Sequence, residues 1–183
     1  MKIIKILLGT SLLALSGIAL LTAQEIKKAP SKGGVASPHE EHTWKFGTKT
    51  ISITYGRPSK KGRVIFGTTE PFNKVWRLGA DEATILKTDT DIMIGSLYIP
   101  KGSHSLYSIF TDKDQTLIVN KQLGQWGLTY DQAQDLGRVP MKLEKVATPH
   151  EQFTIAIDKK SDSGGTFKFM WDDRVASADL MIH

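Results

Sequence analysis

The chain contains no cysteine. That excludes disulfides, thiolate metal sites, cysteine nucleophiles and attachment of a lipid to an N-terminal cysteine. It also lacks a strong excess of charge. Lys and Arg number 24 against 19 Asp and Glu. There is no P-loop, no G-x-G-x-x-G and no G-x-S-x-G nucleophile elbow, so no nucleotide cofactor and no serine hydrolase motif is indicated. Only one long hydrophobic run is present, Ile6 to Leu21. Its 16 residues fall short of the ~20 that a spanning helix needs.

That run follows the basic start MKIIK and precedes the small residue Ala23. This is the pattern of a secretory signal peptide, residues 1–23, cleaved after Ala23. The protein is therefore expected to be exported, to the periplasm or the cell exterior, with no membrane attachment after cleavage. Losing Lys2 and Lys5 leaves 22 basic residues against 19 acids, a net charge of +3. That near-neutral balance gives no case for nucleic-acid binding. Residues 24–36 are polar and contain Pro30, Ser31 and Gly33-Gly34, and read as a flexible linker. Residues 37–183 are long enough for a single domain with its own core.

Period two dominates that domain. Apolar residues alternate in Thr50-Ile51-Ser52-Ile53-Thr54-Tyr55, in Gln152-Phe153-Thr154-Ile155-Ala156-Ile157 and in Thr166-Phe167-Lys168-Phe169-Met170-Trp171. Strand side chains point alternately to opposite faces, so each segment covers a core on one side. Further strands are expected over 83–88, 91–94, 97–99, 104–111, 115–120, 138–146 and 174–182, with Gly95-Ser96 as a two-residue hairpin loop. One segment differs. Thr129 and Gln132 form a capping-box pattern and Gly137 offers a left-handed stop, which predicts a short α-helix near 129–136. The expected architecture is all-β and mostly antiparallel, a β-sandwich of short strands with that one helix.

Chemistry concentrates in KVWRLGADEAT, residues 74–84. If Val75-Trp76-Arg77-Leu78 is extended, Trp76 and Leu78 share a face and Arg77 points away. Arg77 could clamp an anion, or form a structural ion pair with Glu82. The preceding stretch, residues 56–74, is a long connection carrying Arg57, Lys60, Lys61 and Arg63. Long loops in compact domains are often functional or closely packed. Lys60 and Lys61 read as solvated charges, while Trp126, in Gly124-Gln125-Trp126-Gly127, sits in a loop and is the ring expected to be partly exposed. His39 and His42 are three apart beside Glu40 and Glu41, and His104 starts a strand. These three are the weak alternative for a metal site.

The ordered motifs resemble a known family. They are Ser37-Pro38-His39, Tyr55-Gly56-Arg57-Pro58, Lys61-Gly62-Arg63, Ile65-Phe66-Gly67, Val75-Trp76-Arg77 and Gly79-Ala80-Asp81-Glu82-Ala83-Thr84. Ile94-Gly95, Pro100 with Gly102, Leu106-Tyr107, Asn120 and Gln125-Trp126-Gly127 follow. Together they resemble the exported bacterial proteins of the domain-of-unknown-function 2911 family over about residues 37–183. Position 81, often Asn in such proteins, is Asp here. The resemblance implies secretion and a single domain, but no activity. It makes the pattern of Arg57, Arg63, Trp76, Arg77 and Glu82 typical of the family.

The resulting expectation is a non-catalytic domain that binds a carbohydrate or small polar ligand. Its cleft would be lined by Arg57, Arg63, Trp76, Arg77, Asp81, Glu82, Tyr107 and Trp126, with no metal and no cofactor. Two alternatives stand beside it. One is a hydrolase or metal-dependent enzyme using His39, His42 or His104 with Glu82. The other is a structural module braced by buried ion pairs, and a protein partner fits with either.

Overall fold

A computed structural model describes residues 24–32 and 37–183. The expected signal peptide and residues 33–36 of the expected linker lie outside the described residues. Eleven strands form one antiparallel sheet. They are β1 (Gln24–Lys28), β2 (His39–Phe46), β3 (Lys49–Gly56), β4 (Val75–Trp76), β5 (Ala80–Thr88) and β6 (Ile92–Ile94). The remaining five are β7 (Leu97–Ile99), β8 (Gly102–Phe110), β9 (Gln115–Asn120), β10 (Asp135–Ser161) and β11 (Gly164–Ile182). Their order is β1-β2-β3-β5-β8-β9-β10-β11-β6-β7, and β4 pairs with β8 off this path.

The all-β, antiparallel expectation holds. The sandwich, however, is one open sheet rather than two separate ones. Strand β10 makes the difference. Asp135 to Met141 pair with β9, and Lys142 to Ser161 pair with β11. The segments 138–146 and 152–157, expected as separate strands, are both parts of β10. Register shifts on either side of His150 let one strand serve both, since a bulge bends a strand and raises its twist. The two halves then share one apolar cluster. Ile51, Ile53 and Tyr55 come from β3, Leu117 and Val119 from β9, Phe153 and Ile155 from β10, and Phe167, Phe169 and Trp171 from β11. Tyr55 Oη accepts from the Ile155 amide at 3.0 Å, tying β3 to β10.

Three local expectations change. Gln24–Lys28 is not flexible linker but an edge strand, paired with β2 from Gln24↔Trp44 to Lys28↔Glu40. It is exposed throughout, so backbone pairing rather than apolar burial holds it, and composition could not reveal it. The α-helix near 129–136 is a single 3-10 turn, Gln132–Gln134. Asp131, not Thr129, caps it, accepting from the Ala133 amide at 2.9 Å. Strand β10 starts at once at Asp135, which leaves no length for a second turn. Lys60, expected in solvent, instead pairs with Asp172 at 2.6 Å. The Gly95-Ser96 hairpin is as expected, with Ile94 opposite Leu97 and Gly95 at φ +57°.

Candidate functional site

The long connection of residues 57–74 is pinned to the sheet. Arg57 Nη1 donates to Glu40 Oε2 at 2.6 Å, Nη2 to Thr154 Oγ1 at 2.9 Å and Nε to the Phe153 carbonyl at 3.3 Å. Asp172 accepts from Lys60 Nζ and, at 3.1 Å, from the Ile65 amide. Ile65 is fully buried. Burial opposes ionisation of Glu40, but His42 and Arg57 outweigh it and hold its carboxyl below the usual range. Arg57 is therefore a brace and lines neither of the two principal cavities.

The second element is the turn between β4 and β5. Leu78 at φ +53° and Asp81 at φ +64° both occupy the left-handed region, which is uncommon for residues other than glycine and marks a position held by its surroundings. The surroundings are specific. Thr84 Oγ1 donates to the Leu78 carbonyl at 2.6 Å, and the Gly127 amide to the Asp81 carbonyl at 3.1 Å. Gly127 must be glycine, because a Cβ there would stand 2.0 Å from Arg77 Cδ. Glu82 and Trp126 form an isolated antiparallel bridge.

Two cavities flank this turn. The larger, about 490 Å³, is lined by Lys61, Arg63, Glu70, Arg77 and Asp81, with Ser37, Ser59, Thr69 and the Trp171 edge. Arg77 donates through Nε to the Gly79 carbonyl at 3.3 Å. No salt bridge joins it to a carboxylate among the described residues, so the Arg77–Glu82 pair considered from sequence does not form. Arg63 spends two donors on the Lys60 and Ser59 carbonyls. Burial pushes the Glu70 carboxyl up to about 7, against the pull of Arg77 and Arg63. The smaller cavity, about 320 Å³, is bounded by Ser31, Lys32, His39, Tyr55, Glu82 and Gln125. Glu82 accepts from the Lys32 amide and from Ser31 Oγ. Burial works against its ionisation, yet the Lys32 amide, its own amide, His39 and Ser31 together hold its carboxyl low.

The expected site residues thus divide. Arg63, Arg77 and Asp81 meet at one cavity, and Glu82 faces the other. Trp76 is core, 4% exposed and stacked on Trp171 at 5.7 Å. Tyr107 is buried too, donating to the Thr129 carbonyl and accepting from Gln125 Nε2. Trp126 is 42% exposed, as expected of it, but lines neither cavity. The three histidines do not converge. His42 bonds Glu40 and Gln24, His104 bonds the Pro100 carbonyl, and only His39 approaches Glu82. Glu70 was missed. Its signal was its solitude, since it is the one acid among residues 55–74.

The chain belongs to the DUF2911 family, a family described as protein of unknown function, whose model matches residues 37–180. No curated protein and no solved structure matches it.

Proposed function

We propose that this DUF2911 domain is an exported, non-catalytic binding module. Its ligand is a small polar molecule carrying a carboxylate or comparable anionic group, acidic sugars included, held in the cavity between the 57–70 loop and the β4–β5 turn. One observation carries this reading: the Arg77 guanidinium lines that cavity without a carboxylate partner among the described residues. An arginine so placed presents a planar fork of donors suited to a carboxylate. Lys61 and Arg63 add positive charge, while Ser37, Ser59 and Thr69 line the wall with hydroxyl-bearing residues. A volume near 490 Å³ falls in the range of small-ligand sites. The ion-pair brace weighed beside this reading is supported at a different arginine, Arg57, so the two roles do not compete for one residue.

A thermal-shift panel of small carboxylates, acidic sugars and neutral sugars tests the proposal. A ligand that binds only the folded state at ~100 times its dissociation constant stabilises it by about 2.7 kcal/mol. An acidic compound should raise the midpoint of the native protein and fail to do so with Arg77→Gln. Equal shifts in both proteins, or a response to neutral sugars alone, would remove Arg77 from the site.

A further inference from the structure

The sheet has two ends, and they differ. At one end β7 is three residues long and runs into Pro100, which has no N–H to offer another strand. At the other, β1 is a strand of five residues, exposed throughout. Among the described residues its one strand neighbour is β2. Ligand binding at Arg77 makes no use of it.

The phase of the β1 backbone follows from one bond. The Ala29 amide donates to the His39 carbonyl at 2.8 Å, and the register Lys28↔Glu40 sets those two residues opposite each other. Antiparallel pairs alternate between those that exchange both backbone bonds and those that exchange none. Glu25, Lys27 and Ala29 therefore turn their N–H and C=O groups towards β2. Gln24, Ile26 and Lys28 turn theirs to the free edge, where they are a template for a further strand.

The side chains select that strand. Ile26 is 53% exposed, although it stands opposite His42, on the face that His42 and Trp44 bury. Glu25 and Lys27 occupy the other face, 2.9 Å apart and both more than half exposed. We propose that the free edge of β1 pairs antiparallel with β1 of a second copy of this chain, about a twofold axis at Ile26. That axis sets Ile26 against Ile26, Glu25 against Lys27 and Gln24 against Lys28 of the second copy. The residues with outward backbone groups then meet one another and form the bonded pairs. An axis at Glu25, Lys27 or Lys28 would set a charge against its own like, and one at Gln24 would leave most of the strand unpaired. An axis between two residues would oppose outward groups to inward ones.

Opposite charges directly across strands stabilise a pair and like charges destabilise it. Lysine on an edge ordinarily hinders pairing. Here Lys27 lies opposite Glu41 and Lys28 opposite Glu40 on β2, so each lysine already has an acid beside it in its own chain. A patch that meets its own copy about a twofold axis gives a closed dimer. Pairing of one five-residue strand is a small contact, so the dimer is weak and reversible.

The experiment is sedimentation of the exported, tag-free protein at concentrations up to ~1 mM. The expected result is a reversible monomer–dimer equilibrium. Glu25→Lys and Lys27→Glu should each weaken it by at least ~10-fold, because both symmetric pairs become like-charged. Mixing the two variants should restore association, since each offers the other its opposite charges, and restored association also shows that both are folded. Ile26→Pro should abolish the dimer and leave the thermal midpoint nearly unchanged, because the N–H it removes faces outward rather than towards β2. Arg77→Gln, at the cavity, should leave the dimer as it is. A protein that stays monomeric up to ~1 mM overturns the proposal. So does a dimer that persists unchanged in Ile26→Pro, which would place the contact elsewhere. So does a mixture of the two charge variants that associates no better than either alone, which would refute the register.

Discussion

Arg57 Nη1 stands 2.6 Å from Glu40 Oε2 while the same guanidinium holds Thr154 and the Phe153 carbonyl. It joins β2 to β10, two strands from opposite halves of the sheet. Both partners are mostly withdrawn from water, with 15% and 21% of their side chains exposed. Removing one partner leaves the other charge poorly compensated. Arg57→Ala should therefore cost about 2–4 kcal/mol, somewhat less than a fully buried pair. An unchanged urea midpoint would contradict the brace.

The same pair sets an acid limit. Glu40 and Glu82 have folded-state carboxyls below their ordinary value of 4.5. Their contribution is complete above that value and is lost as pH falls through the lower, folded one. Native stability should decline below pH 4.5, and Glu40→Gln should flatten part of that decline. An equal slope in wild type and variant would show that Glu40 carries none of it.

Glu70 has the opposite sign. Its carboxyl is raised from 4.5 to about 7, so the folded protein binds the proton more tightly than the unfolded chain. The stability this brings is full below 4.5 and lost as pH rises towards 7. Glu70→Gln should remove that loss and make the protein more stable than wild type at pH 8, by about 1–3 kcal/mol given partial exposure. Denaturation midpoints at pH 5 and pH 8 give the comparison. A variant no more stable than wild type at pH 8 would mean that Glu70 ionises freely.

The tryptophans should separate cleanly. Trp76→Ala opens a cavity against Phe153 and Trp171 and should cost about 3–5 kcal/mol. Trp126→Ala, at an exposed ring, should change stability by no more than about 0.5 kcal/mol. A large loss at Trp126 would show that its ring packs where the structure leaves it open.

Gly56→Ala should be among the harshest small changes in the chain. The added Cβ would meet the Ala80 carbonyl oxygen at 2.5 Å and His39 Nε2 at 2.8 Å. The first neighbour is backbone and cannot swing away, so about 1–3 kcal/mol is expected. Retained stability with a displaced His39 resonance would show that the sheet yields there instead.

The strands were legible because alternation is a one-dimensional signal. Ile51, Ile53 and Tyr55, or Phe167, Phe169 and Trp171, announce a buried face whatever lies opposite. The joining of 138–146 to 152–157 was not legible. The intervening Thr148-Pro149-His150 reads as a break, and only pairing on both flanks carries the strand through it. Edge strand β1 was hidden for a related reason, since backbone hydrogen bonds leave no mark on composition. Sequence proximity put Arg77 and Asp81 in one neighbourhood, and both line the same cavity. It also suggested an Arg77–Glu82 pair that the left-handed turn at Leu78 and Asp81 prevents. His39 meets those acids only through the pairing of β2 with β3 and β3 with β5, which three-residue spacing to His42 could not disclose.

Strand β10 changes partners between Met141 and Lys142 without leaving the ladder. The two layers are therefore cut from one continuous beam, with no hinge along which they could part. A clamshell motion, layer against layer, would have to break hydrogen bonds along that strand. Under the binding reading proposed above, a guest would instead enter past the 57–70 loop at the rim of the larger cavity, while the sheet stays fixed. On that reading, exchange would be set by the loosening of short tethers such as Lys60 to Asp172, with the continuous sheet staying rigid.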